Sequence, residues 1–153
     1  MLRIEKSIEI DAPVEQVFAY LIDPTHEPEF MTDTDEVKDV QRLPDGRYTY
    51  TNVGKFLGLH LDSKCEQVEV IPNERLVVKM QGGGIEGTGT ERFERLPDGK
   101  TRVSVVNEGH LHAGPFAKFG EAFLARYMDH GISMTVEAAK AHIEAGIPAN
   151  ATH

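Results

Sequence analysis

The sequence predicts a single α+β domain in which a curved antiparallel β-sheet wraps around one long C-terminal helix. Strand-like segments with alternating apolar and polar residues, separated by turn residues, follow one another through residues 33–112. A helical pattern of apolar residues then continues to near Ala145. A chain of 153 residues fits one domain, which we place at residues 1–147, with a disordered tail at 148–153.

Composition and charge narrow the functional classes. The 16 basic residues against 25 acidic ones argue against nucleic acid or an anionic membrane as the main partner. The apolar runs are too short for a membrane span, and the N-terminus MLRIEKSIEI lacks the apolar core of a signal peptide, so we expect a cytoplasmic protein. The single cysteine, Cys65, excludes an internal disulfide and is expected to be a buried apolar side chain.

The first elements are a strand and short helices. Alternation over residues 2–10 predicts a half-buried strand. Asp11 is the expected N-cap of the following helix, with Pro13 in its first turn. That helix should end near Asp23, which precedes a proline, and a short helical piece or loop should cover about residues 25–31.

The tetrapeptide Leu-Pro-Asp-Gly occurs at residues 43–46 and again at 96–99. Each copy predicts a three-residue hairpin loop with a glycine bulge, which fixes the register of the strands on either side. In the second hairpin this count predicts five inward-facing pairs: Phe93 with Val103, Glu91 with Val105, Gly89 with Asn107, Gly87 with Gly109 and Ile85 with Leu111. In the first hairpin it predicts two pairs: Tyr50 with Val40 and Tyr48 with Arg42.

Two further strands are expected between the hairpins, at about residues 58–71 and 75–81. The apolar residues of the first of these change parity, which a β-bulge near residues 63–66 would explain. Glycines crowd residues 82–89 and indicate a strongly bent sheet.

The long helix is expected to begin after Gly114-Pro115 and to end before Gly146. Glycines within it, Gly120 and Gly131, would permit a kink or a close crossing. It carries two adjoining apolar stripes, of which one is Phe116, Phe119, Phe123, Tyr127 and Met134 and the other is Leu124, Met128, Ile132, Val136, Ala139 and Ile143. A helix this apolar should be largely enclosed by other structure.

Three segments together resemble the START-related superfamily often called SRPBCC, which includes polyketide cyclases and dehydrases and pollen-allergen-like proteins. They are residues 8–18 (IEIDAPVEQVF), residues 68–76 (VEVIPNERL), and Phe93 followed by residues 99–103 (GKTRV). The resemblance implies a helix-grip fold with a deep cavity that binds sterols, lipids, polyketides or other hydrophobic molecules. It implies no catalytic residue, because the family shares no catalytic motif.

Inward-facing aromatic, apolar and polar residues are the candidate ligand contacts, although plain core packing is the better explanation for any one of them taken alone. Those expected on the sheet and the long helix are Tyr48, Tyr50, Met80, Ile85, Val105, Asn107, Phe116, Phe119, Phe123 and Tyr127. Those expected in connections around an entrance are Phe30, Met31 and Phe56.

Glu91 is the candidate catalytic residue, because the predicted register places its carboxyl group on the inward face beside Val105. Desolvation there should raise its pKa, as a general acid near neutral pH requires. The alternatives are that Glu91 pairs with a cation, or that a register slip exposes it. Asn52 and Asn107 share the inward parity, and either could orient a polar ligand group or bond to the backbone.

Other polar patterns carry less weight. His110 and His112 share a strand face but lack a third ligand, so we expect a solvated pair and no metal or other cofactor. His60 and Asp62 form a possible acid–base pair on a strand of uncertain parity. Residues 82–84 are three glycines without the Lys-Ser/Thr ending of a phosphate loop.

Three functions are therefore open. The first is a carrier of a hydrophobic small molecule, present as a monomer or homodimer. The second is a cofactor-free polyketide cyclase or dehydratase in which Glu91 works with Asn107 or a tyrosine hydroxyl. The third is a protein-interaction module with a vestigial cavity and an acidic binding surface.

Overall fold

The computed structural model describes residues 1–112, 114, 116 and 118–146, and it confirms the predicted α+β architecture. One seven-stranded antiparallel sheet has the strand order β1-β7-β6-β5-β4-β3-β2. The strands are β1 Leu2–Ile10, β2 Thr34–Arg42, β3 Tyr48–Phe56, β4 Leu59–Ile71, β5 Arg75–Gly82, β6 Ile85–Arg95 and β7 Thr101–Leu111. The helices are α1 Val14–Ile22, a 3₁₀ turn Pro24–His26, α2 Glu27–Phe30 and α3 Glu121–Ala145.

The repeated tetrapeptide forms the same turn twice, as its chemistry predicts. Gly46 and Gly99 have φ angles of 93° and 88°, a region that glycine enters without strain. The Leu43 and Leu96 amides donate across their loops to the Arg47 and Lys100 carbonyls, at 2.7 and 2.9 Å. All five predicted pairs between β6 and β7 are formed.

The first hairpin keeps only one of its two predicted pairs. Arg42 faces Tyr48, but the expected pairing of Val40 with Tyr50 is wrong. A bulge lies between Lys38 and Gln41, and Asp39 within it has a φ of 54°. The extra residue shifts β2 relative to β3, which counting from the turn does not reveal.

The bulge in β4 exists, but it lies between Gln67 and Glu69 and not at residues 63–66. Up to that point Ser63, Cys65 and Gln67 all face inward, although two of them are polar. Gln67 is buried because its amide is satisfied: Oε1 accepts from the Tyr48 amide at 2.9 Å and Nε2 donates to the Ile22 carbonyl at 2.8 Å.

Helix boundaries differ from the prediction at two N-termini. Pro13, in an extended conformation, is the N-cap residue of α1, so the expected capping role of Asp11 is wrong; the Asp11 amide instead donates to Glu144. Asp23 ends α1 as predicted, and its carboxylate accepts from the Thr25 amide at 3.0 Å.

Helix α3 begins at Glu121 and not directly after Gly114-Pro115; Pro115 itself lies outside the described residues. A turn in which the Phe119 amide donates to the Phe116 carbonyl precedes it, and Gly120 is extended. A side chain at Gly120 or Gly131 would meet no heavy atom within 4 Å, so neither glycine permits a close crossing. The predicted tail at 148–153 also lies outside the described residues.

A cluster of buried apolar residues packs under α1. Phe18 of α1 meets Phe93 of β6 edge to face, with ring centroids 5.2 Å apart. Ala139 and Ile143, near the end of α3, are 5% and 2% exposed in the same cluster. The middle of α3 instead spans a cavity. Among the described residues, no helix is both long and apolar enough to cross a bilayer.

Candidate functional site

A cavity of about 340 Å³ lies between the inner face of the sheet and α3. The predicted site residues that line it are Phe30, Met31, Tyr50, Phe56, Met80, Ile85, Glu91, Val105, Asn107 and Tyr127, together with Asn52. The wall that α3 contributes is formed by Leu124, Tyr127, Met128, Gly131, Ile132, Thr135, Val136 and Ala139. The surroundings are thus largely apolar, with a small number of polar groups, as in small-molecule sites generally.

The predicted contacts Tyr48, Phe116, Phe119 and Phe123 lie outside the cavity lining. Phe116 is fully buried against Phe56, with ring centroids 4.9 Å apart. Phe119 stacks on Phe123, and Phe123 is 53% exposed. Their predicted inward positions are wrong for Phe119 and Phe123, because α3 starts only at Glu121 and turns a different face toward the sheet.

Tyr48 has the same strand parity as Tyr50 but lies nearer the turn at residues 43–46. The guanidinium group of Arg42 sits over its ring, 5.4 Å from the centroid. Tyr48 therefore shares the strand face of Tyr50, as the alternation predicts, but it does not belong to the cavity lining.

Glu27 is the functional candidate that the sequence did not reveal. The Tyr50 hydroxyl donates to its Oε2 at 2.6 Å, and the Asn52 amide donates to its Oε1 at 2.7 Å. The Thr34 hydroxyl in turn donates to Asn52 Oδ1 at 3.1 Å. Each carboxylate oxygen of Glu27 thus holds one donor, an arrangement suited to the ionised form.

Glu27 escapes sequence analysis because it lies in α2, a four-residue helix too short to show a periodic pattern. The available clue was indirect: Tyr50 and Asn52 were predicted to face inward, and buried polar groups need partners. Burial raises the pKa of Glu27, while the two donated hydrogen bonds act in the opposite direction.

Glu91 occupies the predicted place, opposite Val105 on one side and Leu76 on the other. Its Oε2 is buried and has no hydrogen-bond partner among the residues that the structure describes. Desolvation, and secondarily the charge of Glu27, raises the pKa of Glu91 to about 8. The register slip is excluded by the observed pairing, and within the described chain no cation pairs with this carboxyl group.

The cavity therefore contains two carboxyl groups in different states. Glu27 has two donors and suits a negative charge, whereas the buried Oε2 of Glu91 has no partner among the described residues, which favours the protonated form at neutral pH. Paired titratable groups whose surroundings separate their protonation states can divide acid and base roles. Nearby Cys65 is no candidate nucleophile, because burial and Glu27 raise the pKa of its thiol to about 12.

The histidine candidates lie outside the cavity or at its exposed margin. His60 Nε2 is 2.8 Å from Asp62 Oδ1, and both side chains are exposed. His110 and His112 stack with ring centroids 6.0 Å apart, and His112 contacts Glu86 at 3.1 Å. No cluster of three or more potential metal-ligating side chains occurs among residues 1–112, 114, 116 and 118–146.

Tyr127 joins three elements beside the cavity. Its hydroxyl accepts a hydrogen bond from the Leu57 amide at 3.1 Å and donates to Asp33 Oδ2 at 2.9 Å. Its ring meets Phe56 edge to face, with centroids 5.2 Å apart. Helix α3, the β3–β4 turn and the α2–β2 connection are held together by this one side chain.

Comparison with known proteins gives a family and a fold. A family profile described as polyketide cyclase/dehydrase and lipid transport matches residues 1–144. An uncharacterized 17.2 kDa protein of Streptomyces lincolnensis is 30% identical over 110 residues, which cover 72% of this chain and 70% of that protein.

Solved structures share the fold at low sequence identity. A START superfamily protein from Mycobacterium smegmatis has a TM-score of 0.81 at 13% identity, covering 94% of this chain and 97% of that one. The Zhui aromatase/cyclase from a Streptomyces species also has a TM-score of 0.81, at 12% identity, covering 97% of this chain and 96% of that one. Identities this low carry the architecture and not the chemistry.

Proposed function

Because the chain belongs to the polyketide cyclase/dehydrase and lipid transport family, we propose that it binds a hydrophobic small molecule in the cavity between the sheet and α3. The cavity itself is the observation that carries this proposal: about 340 Å³, walled mainly by apolar and aromatic side chains. A volume in this range is typical of small-molecule sites. We further propose a cytoplasmic location, a monomer or homodimer, and no nucleic-acid partner.

The proposed contacts divide into an apolar wall and a polar wall. Phe56, Met80, Ile85 and Val105 supply apolar surface, which stabilises a bound apolar molecule as water leaves. Glu27, Glu91 and Asn107 supply the polar groups that would fix its orientation. A chain without a measurable cavity would favour the protein-interaction alternative, so the cavity supports the binding proposal over it.

The test is native mass spectrometry of the freshly purified protein, followed by organic extraction. A stoichiometric small molecule that survives purification and proves hydrophobic supports the proposal. A clean mass, combined with no binding of neutral aromatic probes added at high concentration, would overturn it.

A second function, cofactor-free cyclase or dehydratase activity, is favoured by the unpartnered carboxyl group of Glu91. In a dehydration, Glu91 would give its proton to a departing hydroxyl while Glu27 accepts one from the adjacent carbon, and water would leave. Glu91→Gln would abolish such turnover and leave the affinity for a neutral ligand nearly unchanged. Unchanged turnover in this variant would exclude the assigned role of Glu91.

A further inference from the structure

The polar wall of the cavity is acidic and lacks a buried basic partner. Glu27 and Glu91 lie close enough that the charge of Glu27 acts on the Glu91 carboxyl group. The other charged or basic residues that line the cavity are Asp33, Lys55, Glu108 and His110, all of which are exposed. Within the described chain, therefore, no buried cation faces these two carboxyl groups.

An ionised carboxylate in an apolar cavity is unfavourable unless a cation or strong donors compensate it. Glu27 has two neutral donors, the Tyr50 hydroxyl and the Asn52 amide. In the described chain, the buried Oε2 of Glu91 has no hydrogen-bond partner. Both groups would be stabilised by a positive charge placed in the cavity, and both would repel a negative one.

We propose that the natural ligand is a hydrophobic amine whose protonated nitrogen pairs with the Glu27 and Glu91 carboxyl groups while its apolar frame fills the cavity. This inference rests on the proposed binding function and specifies the ligand class. The ammonium supplies a buried cation, whereas the basic residues of the described lining, Lys55 and His110, are exposed. Ligands that end in a carboxylate or a phosphate are disfavoured, because their charge has the same sign as that of Glu27.

Proton release is a consequence that a neutral ligand would not share. The titratable groups that face the polar wall are Glu27 from α2, Tyr50 from β3, Cys65 from β4 and Glu91 from β6, with Tyr127 of α3 near the β3–β4 turn. Of these, Glu91 carries the proton that a nearby cation displaces most readily, because its pKa is about 8. A cation favours the ionised carboxylate, so binding at pH 7 releases a proton to solvent.

Three probes with one phenylbutyl frame test the ligand class: 4-phenylbutylamine, 4-phenylbutanol and 5-phenylpentanoate. Binding to the full chain is measured by isothermal titration calorimetry at pH 7, in two buffers with different ionisation enthalpies. We expect the amine to bind about tenfold tighter than the alcohol, the carboxylate to bind most weakly, and only the amine to release a proton.

Glu91→Gln and Glu86→Gln are the matched variants, because both positions lie on β6 and only Glu91 lines the cavity. Glu91→Gln should remove most of the proton release and reduce the preference for the amine, whereas Glu86→Gln should leave both unchanged. The order of the three probes on the unmodified protein needs no variant, so a poorly folding variant does not affect that test.

The outcomes separate this inference from the function on which it rests. Tight binding of the alcohol, with equal or weaker binding of the amine, would overturn the amine inference and leave the binding function standing. Preferential binding of the carboxylate would do the same. Failure of all three probes, and of larger neutral aromatic molecules, would overturn the binding function itself.

Discussion

The two halves of α3 face different surroundings. Near its C-terminal end, Ile143 packs into the buried cluster around Phe18 and Phe93, and these three residues do not line the cavity. In its N-terminal half, Met128 and Gly131 line the cavity, and a Cβ added at Gly131 would meet no atom within 4 Å outside its own helix backbone. One helix thus seals a packed core at one end and forms the wall of a cavity at the other.

The difference separates what stabilises the fold from what serves a ligand. At the packed end, apolar side chains fill the space between the elements, so truncating one of them leaves a cavity and destabilises the fold. At the cavity end, space already exists, and two carboxyl groups are kept there at a cost in stability. Substitutions at the packed end should therefore change mainly the stability of the fold, and substitutions at the cavity end should change mainly ligand binding.

Removing a ring from the packed end should produce the largest loss of stability. Phe93→Ala deletes the edge-to-face contact with Phe18 and should lower the free energy of unfolding by roughly 3–5 kcal/mol. Met80→Ala at the cavity wall should cost less than the roughly 2–5 kcal/mol of a fully packed methionine. Urea unfolding followed by circular dichroism measures both. Equal losses would contradict the division of the molecule into two ends.

Glu91→Gln should change how stability depends on pH. The folded-state pKa of Glu91 is about 8 against an ordinary value of 4.5, so the folded state holds a proton that the unfolded state has lost across this window. This carboxyl group therefore lowers stability as pH rises from 4.5 to about 8, by up to roughly 1.4 kcal/mol per pH unit.

The variant should flatten that slope and be more stable than the native chain at pH 8, as measured by urea unfolding at a series of pH values. Glu27, whose pKa is also raised, remains and leaves a residual slope of the same sign. Glu86→Gln, on the same strand but outside the cavity, is the control and should leave the slope unchanged. An unchanged slope in Glu91→Gln would mean that this carboxyl group is already ionised at neutral pH.

Tyr50→Phe should destabilise the cavity end by about 1.5–3 kcal/mol, because it removes a hydrogen bond to a charged group. The pKa of Glu27 should rise further without this donor, so the loss should be greater at high pH than at low pH. Urea unfolding at two pH values measures the difference. The same loss at both pH values would contradict an ionised Glu27.

Tyr127→Phe should have the smallest effect on stability, below about 1 kcal/mol, because its two hydrogen bonds are partly open to solvent. Its effect should instead be kinetic, since Leu57 and Asp33 are no longer tied to α3. Stopped-flow measurement with a neutral fluorescent probe should show faster release at little changed affinity. Tyr48→Phe, outside the cavity, is the control. Identical release rates in the two variants would mean that the hydrogen bonds of Tyr127 to Leu57 and Asp33 do not slow ligand release.

Local chemistry explains which parts of the fold could be read from the sequence. The register of β6 and β7, and with it the place of Glu91, follows from a turn and an alternating pattern only a few residues away. The other copy of the turn, at residues 43–46, correctly predicts Arg42 opposite Tyr48. The prediction fails two residues farther from the turn, at Val40, because of the bulge around Asp39. The strand register close to a turn is predictable because it depends on neighbouring residues and not on contacts with distant parts of the chain.

The remainder depends on partners that are distant in the chain. Gln67 is a polar residue on the inward face of its strand, where an alternating pattern predicts an apolar one. It is accommodated there because Tyr48 and Ile22 satisfy the hydrogen bonds of its side-chain amide. Glu27 becomes part of the site only when α2 folds against β3 and meets Tyr50. Two residues of the polar wall, Glu91 and Asn107, are therefore predictable from one hairpin, and the third, Glu27, is not.

The most direct test of ligand binding in the cavity is to fill it from α3. Gly131 lines the cavity and leaves open space for a Cβ, so Gly131→Phe should direct a ring into the cavity. Met134→Phe puts the same ring about one turn away, at an exposed position of the same helix. Binding of the neutral probe N-phenyl-1-naphthylamine is measured by fluorescence, with thermal unfolding as the check on folding. We predict one site on the native chain and on Met134→Phe, and at least about tenfold weaker binding to Gly131→Phe at unchanged stability. Equal affinity in all three proteins would place the ligand elsewhere and contradict the account.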